Sequence, residues 1–220
     1  MTPSCINPVP QQRHIPPSRP FRHESLMLNL GWSMTNLSSR AAYFELHKIS
    51  TICHTLSSQT TNTLVCAFVL SKLDYCNSLL SGCPLYLLHK LQKVQNSAAR
   101  LILKARKRDH ATPLLRTLHW LPLQTRIDYK LSTLCFNFFS GSSPAYFSEL
   151  LTVYSPARQL RASSDCRILT HTKTKTYGQR TFTFCAPTQW NSLPFHIHHS
   201  QSPQAFKRAL KTHLFKKYNP

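Results

Sequence analysis

Acidic side chains are the scarcest functional groups in this 220-residue chain: seven Asp and Glu stand against 27 Lys and Arg. Glu24, Glu45, Asp74, Asp109, Asp128, Glu149 and Asp165 are scattered, and no two adjoin. Nucleases, polymerases and phosphatases cluster carboxylates to hold divalent cations against a phosphate. This composition therefore argues against an enzyme of that kind, and no cofactor is expected. Glycine is scarce too, with four residues, too few for a sandwich or barrel of many tight turns. Gly82, Gly141 and Gly178 are solitary, so there is no glycine-rich phosphate loop, and no Gly-x-Ser-x-Gly elbow occurs. The longest apolar run, Leu64 to Leu70, falls far short of the about 20 residues that span a bilayer.

Cysteine is present but unorganised. The eight residues include no Cys-x-x-Cys pair and no Cys/His spacing of the zinc-finger kind. Cys53, Cys66, Cys76, Cys83, Cys135 and Cys185 stand among apolar neighbours, where buried free thiols pack. His196, His198 and His199 lack a nearby cysteine or acid and read as an exposed loop, so no metal site is expected. The first 20 residues carry six prolines without an apolar centre, unlike a secretory leader. An intracellular protein, nuclear or cytoplasmic, is the expectation, with its thiols reduced.

What is abundant is positive charge and apolar mass. The formal charge of +20 calls for a polyanionic partner, nucleic acid first and an anionic membrane surface second. A hydrophobic share of 41% and 10% aromatics suit a folded chain.

Periodicity predicts a mainly α fold. Residues 1–29, rich in proline and without periodicity, read as disordered. Ser38 or Ser39 caps a first helix carrying Ala42, Leu46, Ile49 and Cys53. A second helix runs from Ser57-Ser58 to about Leu80; Leu64, Phe68, Leu73 and Leu79 make it apolar nearly all round, as in the centre of a bundle. Pro84, Pro113, Pro122, Pro144 and Pro203 each open a helix, because a first-turn residue has no use for its N–H. Helices are predicted at 84–105, 113–119, 122–140, 144–151 and 203–216. Arg180 to Cys185 alternates like a half-buried strand, pairing with Cys166 to Leu169 in a short hairpin, and Pro187 to Leu193 reads as a single helical turn. The division is a helical module over 30–151 followed by a small basic α+β segment over 152–220.

The candidate site lies on the helix from Pro84. Leu87, Leu88, Leu91, Val94, Ala98, Leu101 and Ile102 form its apolar stripe. Lys93, Arg100, Lys104 and Lys107 recur on another face, with Lys90, Arg106 and Arg108 adding charge and no acid between them. Exposed helices usually mix signs, so this stripe reads as a track for a phosphate backbone. Lys207, Arg208 and Lys211, with Lys216 and Lys217, on the last helix are a second candidate, beside a docking face of Phe206, Leu210, Leu214 and Phe215. Tyr177, near Lys173 and Lys175, is placed for base stacking, whereas Trp120 and Trp190 read as core or loop anchors. Asp74 reads as a capped, hydrogen-bonded, buried acid at a helix junction.

The runs LDYCNSLL (73–80), LQKVQNSAARLI (91–102) and DHATPLLRTLHWLP (109–122) resemble the C-terminal part of LINE-type, non-long-terminal-repeat retrotransposon reverse transcriptases, in particular the jockey-like branch. TYGQRTF (176–182), WNSLP (190–194) and FKRALKTHLF (206–215) continue the resemblance in order. It covers Leu30 to Phe215 and implies a helical thumb-like bundle, which grips template and primer, followed by a post-thumb segment. The palm aspartates that the family needs have no counterpart, since the chain contains no Asp-Asp pair. The endonuclease and a C-terminal zinc knuckle are absent as well, residues 1–29 match nothing in the family pattern, and the connection from Gly31 to Ser39 is short. The resemblance implies a non-catalytic remnant that binds RNA or an RNA–DNA duplex, with no membrane or small-molecule partner. The alternatives are a truncated product without molecular function, or a passive module associating through apolar surface once shared with the polymerase.

Overall fold

The computed structural model describes residues 21–155, 167–170 and 178–218, with side chains at 33 and from 35 onward. It is mainly helical. In chain order come α1 (Phe21–Ile52), α2 (Ser58–Val65), a π turn (Cys66–Leu70), α3 (Ser71–Asp74), a 3-10 turn (Asn77–Leu80), α4 (Leu85–Ile102), α5 (Ala111–Thr117) and α6 (Leu123–Phe139). Then follow α7 (Phe147–Leu150), a 3-10 turn (Gly178–Arg180), α8 (Phe182–Asn191), α9 (Phe195–His198) and α10 (Pro203–Tyr218). The expected disorder of residues 1–20 and the stacking role of Tyr177 lie outside the described residues.

Proline punctuation explains much of this order. Pro84 and Pro122 sit at the N-caps of α4 and α6, and Pro203 opens α10. Pro113 lies in the first turn of α5, and Pro144 precedes α7 by a turn. Ser57 caps α2, its hydroxyl accepting the Thr60 N–H at 3.1 Å. Ser38 and Ser39 do not start a helix: α1 already runs from Phe21, and Ser39 Oγ donates to the Asn36 carbonyl instead. Residues 21–29 are therefore helical, not disordered. A serine can back-bond within a helix as readily as it can cap one.

α6 occupies the centre. Leu123, Ile127, Leu131, Cys135 and Phe136 are buried, with α4, α8 and α10 packed around them. A single hydrophobic cluster runs from Ala42 to Leu214. The Phe206 ring stacks on Phe136 at 4.2 Å, and Trp190 stacks on Phe139 at 5.2 Å. Trp120 and Trp190 are the buried anchors expected of them. Polar ties fix the register. Gln92 Oε1 accepts the Leu123 N–H at 2.8 Å, and buried Gln95 donates to the Leu121 carbonyl at 2.8 Å. These two α4 glutamines satisfy backbone groups at the mouth of α6, where Pro122 offers no side-chain cap.

The segment 58–80 is not the bundle's centre. Phe68 and Leu79 are about half exposed, at 49% and 57%. The π turn inserts a residue into the repeat, which rotates the apolar stripe off its face, and Cys76 at φ 51° breaks the chain direction after α3. Asp74, at that junction, is part-exposed rather than buried, and it pairs with Arg126 of α6, with Nε to Oδ1 at 2.7 Å and a second, close Nη2–Oδ2 contact. Of the cysteines, Cys135 is buried, Cys53, Cys83 and Cys185 are half-buried, and Cys66 and Cys76 are exposed. The exposed pair sits on that rotated and broken stretch.

The expected hairpin is replaced by helix. Phe182–Cys185 forms the first turn of α8, which continues through Pro187, so the single turn expected from Pro187 is the second half of a ten-residue helix. Helical spacing lets Ala186 and Trp190 both reach the core. Ile168 instead forms an isolated antiparallel bridge with Val153 and is clamped from the other side by Asn191, whose side chain binds its N–H and carbonyl at 3.1 and 2.9 Å. No strand occurs among the described residues. His196 and His198 belong to α9 rather than a loop; the His198 ring stacks on Trp190 at 4.4 Å.

Candidate nucleic-acid interface

α4 buries Leu87, Leu88, Leu91, Val94, Ala98 and Ile102, with Leu101 half-buried, and turns Lys90 and Lys93 to solvent. Lys90 Nζ also lies 3.5 Å from Asn36 Oδ1 on α1. The expected helical track stops short, because α4 ends at Ile102. Its end is a Schellman motif: Ala105 N–H donates to the Arg100 carbonyl at 3.0 Å and Lys104 N–H to that of Leu101 at 3.4 Å. Lys104 holds the left-handed position of that motif, at φ 50°. Residues 103–110 then fold back as turns, so Lys104, Arg106, Lys107 and Arg108 lie on an exposed loop rather than on a continuing helix.

That loop is pinned by its one acid. Asp109 Oδ2 accepts the Arg106 backbone N–H at 2.7 Å, and the Asp109 carbonyl accepts Arg100 Nη2 and Nε at 2.9 and 3.3 Å. The Arg100 guanidinium is thereby fixed in direction while one nitrogen stays available.

The folded-back loop and the second half of α1 enclose an open cleft of about 750 Å³. α1 contributes Tyr43, His47 and Ser50, spaced so that all three share one helix face, and His54 follows in the turn beyond its end. α4 and its loop contribute Arg100, Lys104 and Lys107, and the floor is apolar, from Leu46, Leu101 and Ala105. No carboxylate lines it. Glu45, the acid nearest in sequence on α1, turns elsewhere and pairs with Lys72 at 3.0 Å and Lys48 at 3.8 Å. The Lys72 hydrogen bond holds its carboxyl below the ordinary value, so it stays ionised and committed.

The structure thus brings together three of the four predicted stripe residues. Lys93 lies about a turn before the cleft, and Lys90, Arg106 and Arg108 are exposed outside it. Lys207, Arg208 and Lys211 are exposed on α10, opposite its buried Phe206, Leu210 and Leu214. α4 and α10 each pack on α6 and share no comparable interface with one another, so the two basic segments do not merge. Among the described residues none of these ten cations is in an ion pair with a carboxylate. Tyr43, His47 and His54 escaped the sequence reading. Their i, i+4, i+11 spacing was visible, but nothing local showed which face of α1 would meet α4.

Among the described residues no group of three His, Cys, Asp or Glu is arranged to hold a metal ion. The best-buried thiol, Cys135, is pushed up to about 12 by burial, which suits packing and not nucleophilic attack. No described helix is long and apolar enough to cross a membrane. No protein-family model, curated protein or solved structure matches the chain.

Proposed function

We propose that this chain is a non-catalytic, basic helical module that holds RNA or an RNA–DNA duplex through its phosphate backbone, a remnant of the thumb and post-thumb region of a LINE-type reverse transcriptase. The observation that carries the binding reading is the convergence of Arg100, Lys104 and Lys107 on a cleft that no carboxylate lines. A phosphate there meets one donor held in place, Arg100, two exposed ammonium groups and no competing carboxylate, and each neutralised phosphate releases counterions. Lys93, Lys90, Arg106 and Arg108 extend the contact along the strand, and Lys207, Arg208 and Lys211 offer a separate one. Such binding is weakly sequence-selective. The test is a salt series on labelled RNA, DNA duplex and RNA–DNA hybrid, with wild type and a Lys93/Arg100/Lys104/Lys107→Glu variant. Wild-type affinity falls with a log–log slope of about 0.7–0.9 per phosphate contacted, and the variant loses binding while keeping its helical circular dichroism. Unchanged affinity in the variant refutes the reading.

Exposed apolar residues support a second reading, that of a passive module. Phe68, Tyr75, Leu79, Leu85 and Tyr86 are 49–70% exposed within a short stretch of chain, a surface suited to adventitious association. Size-exclusion chromatography decides between them: a monodisperse monomer that binds nucleic acid supports the first, and concentration-dependent assembly without binding supports the second.

A further inference from the structure

The α1–α4 cleft has more in it than a phosphate track requires. A backbone contact needs only surface cations, as on α10, whereas this open cleft adds apolar lining from Leu46, Leu101 and Ala105 and an exposed aromatic residue, Tyr43. Its volume, about 750 Å³, falls within the range typical of small-molecule and cofactor sites. We propose that it seats one unpaired nucleotide of a single-stranded RNA or DNA, the base against Tyr43 and the flanking phosphates on Arg100, Lys104 and Lys107. The proposal rests on the nucleic-acid reading above and adds a preference to it.

Tyr43, the apolar lining and Arg100 each have a role in that arrangement. Tyr43 is 43% exposed, its ring uncovered by the core, and every base offers a π face to an aromatic ring whatever its sequence. Leu46 and Leu101, in the floor, suit a base and not a phosphate. Arg100 is held by the Asp109 carbonyl, so a phosphate meets a pre-aimed donor rather than a free side chain. Ser50 and Ser97 add no free donor, since their hydroxyls already donate to the His47 and Lys93 carbonyls at 2.6 and 2.9 Å. The site therefore reads chiefly the ring and the charge, and His47 and His54 are the polar side chains left to meet a base edge. A base in a duplex is stacked and paired, and reaches such a cleft only at the cost of unstacking; a single strand presents it freely.

The experiment compares wild type, Tyr43→Ala and Tyr43→Phe by fluorescence anisotropy on a 12-nucleotide single-stranded RNA, the same DNA sequence, and a blunt RNA–DNA hybrid. Tyr43→Ala weakens both single strands by about 5- to 160-fold, the range seen when a stacking ring is removed, Tyr43→Phe restores them, and hybrid affinity is unchanged. The difference between the RNA and DNA arms identifies which strand the cleft prefers. Thermal melting confirms that Tyr43→Ala, at an exposed position, leaves the fold intact. Equal losses on strand and hybrid, or no loss on either, overturn the cleft proposal while salt-dependent binding leaves the phosphate reading standing. Absence of any binding at low salt overturns both.

Discussion

Lys104→Gly is expected to make the protein more stable and a poorer binder at once. Three helices end in the same motif, with 6→1 and 5→2 hydrogen bonds around a residue in left-handed conformation: α4 at Lys104 (φ 50°), α5 at His119 (φ 54°) and α6 at Gly141 (φ 67°). Only α6 uses glycine there. A side chain in that conformation costs about 1–2 kcal/mol, and glycine's freedom in the unfolded chain takes back about 0.5–1 kcal/mol. The net gain is about 0.5–1 kcal/mol, or a Tm rise of about 1–4 °C for a chain of this size. Lys104→Ala separates charge from backbone, since it loses the ammonium and keeps the strained φ. Both variants should shed about 0.7–0.9 from the log–log salt slope, while Lys104→Gly alone melts higher. Differential scanning calorimetry beside the salt titration reads both quantities. Equal Tm for the Gly and Ala variants would refute the strain argument. A salt slope equal to wild type in both would remove Lys104 from the contact.

Two further outcomes follow from buried geometry. Asp128 is buried on α6, accepting hydrogen bonds from Gln124 at 3.4 Å and from the Tyr218 hydroxyl at 3.2 Å; burial raises its carboxyl pKa and the two bonds only partly offset this. The folded state then binds its proton more tightly than the unfolded state, so this group's contribution to stability falls as pH rises from the ordinary aspartate range through the raised value. Asp128→Asn should abolish that component, and Tm measured from pH 3.5 to 8 should show wild type minus variant declining with pH; a flat difference would contradict it. The second pair concerns glycine. Gly141→Ala meets nothing within 4 Å and costs only its φ, less what the stiffer unfolded chain returns, about 0.5–1 kcal/mol net. A Cβ on Gly82, also at positive φ, would stand 2.9 Å from the Arg180 Cα, so Gly82→Ala should cost about 2–4 kcal/mol in urea unfolding. Equal losses would mean that the 178–180 turn yields freely.

The sequence by itself determined where most helices begin and what α4 buries. Pro84, Pro122 and Pro203 act through their own fixed φ and missing N–H, and the α4 stripe follows from a 3.6-residue repeat; both are local rules. The count of charges was likewise readable from composition. Tertiary structure decided the rest. Thr-Phe-Thr-Phe alternates like a strand, yet α8 forms because helical spacing carries Ala186 and Trp190 together to the α6 core, and packing overrides a propensity of about 1 kcal/mol. The π turn at Cys66–Leu70 rotated Phe68 into solvent, a register change that no single residue announces. Most of all, the cleft is a property of two segments some 50 residues apart in sequence. The sequence supplied Tyr43 and Arg100, and only the packing of α1 on α4 set them around one space.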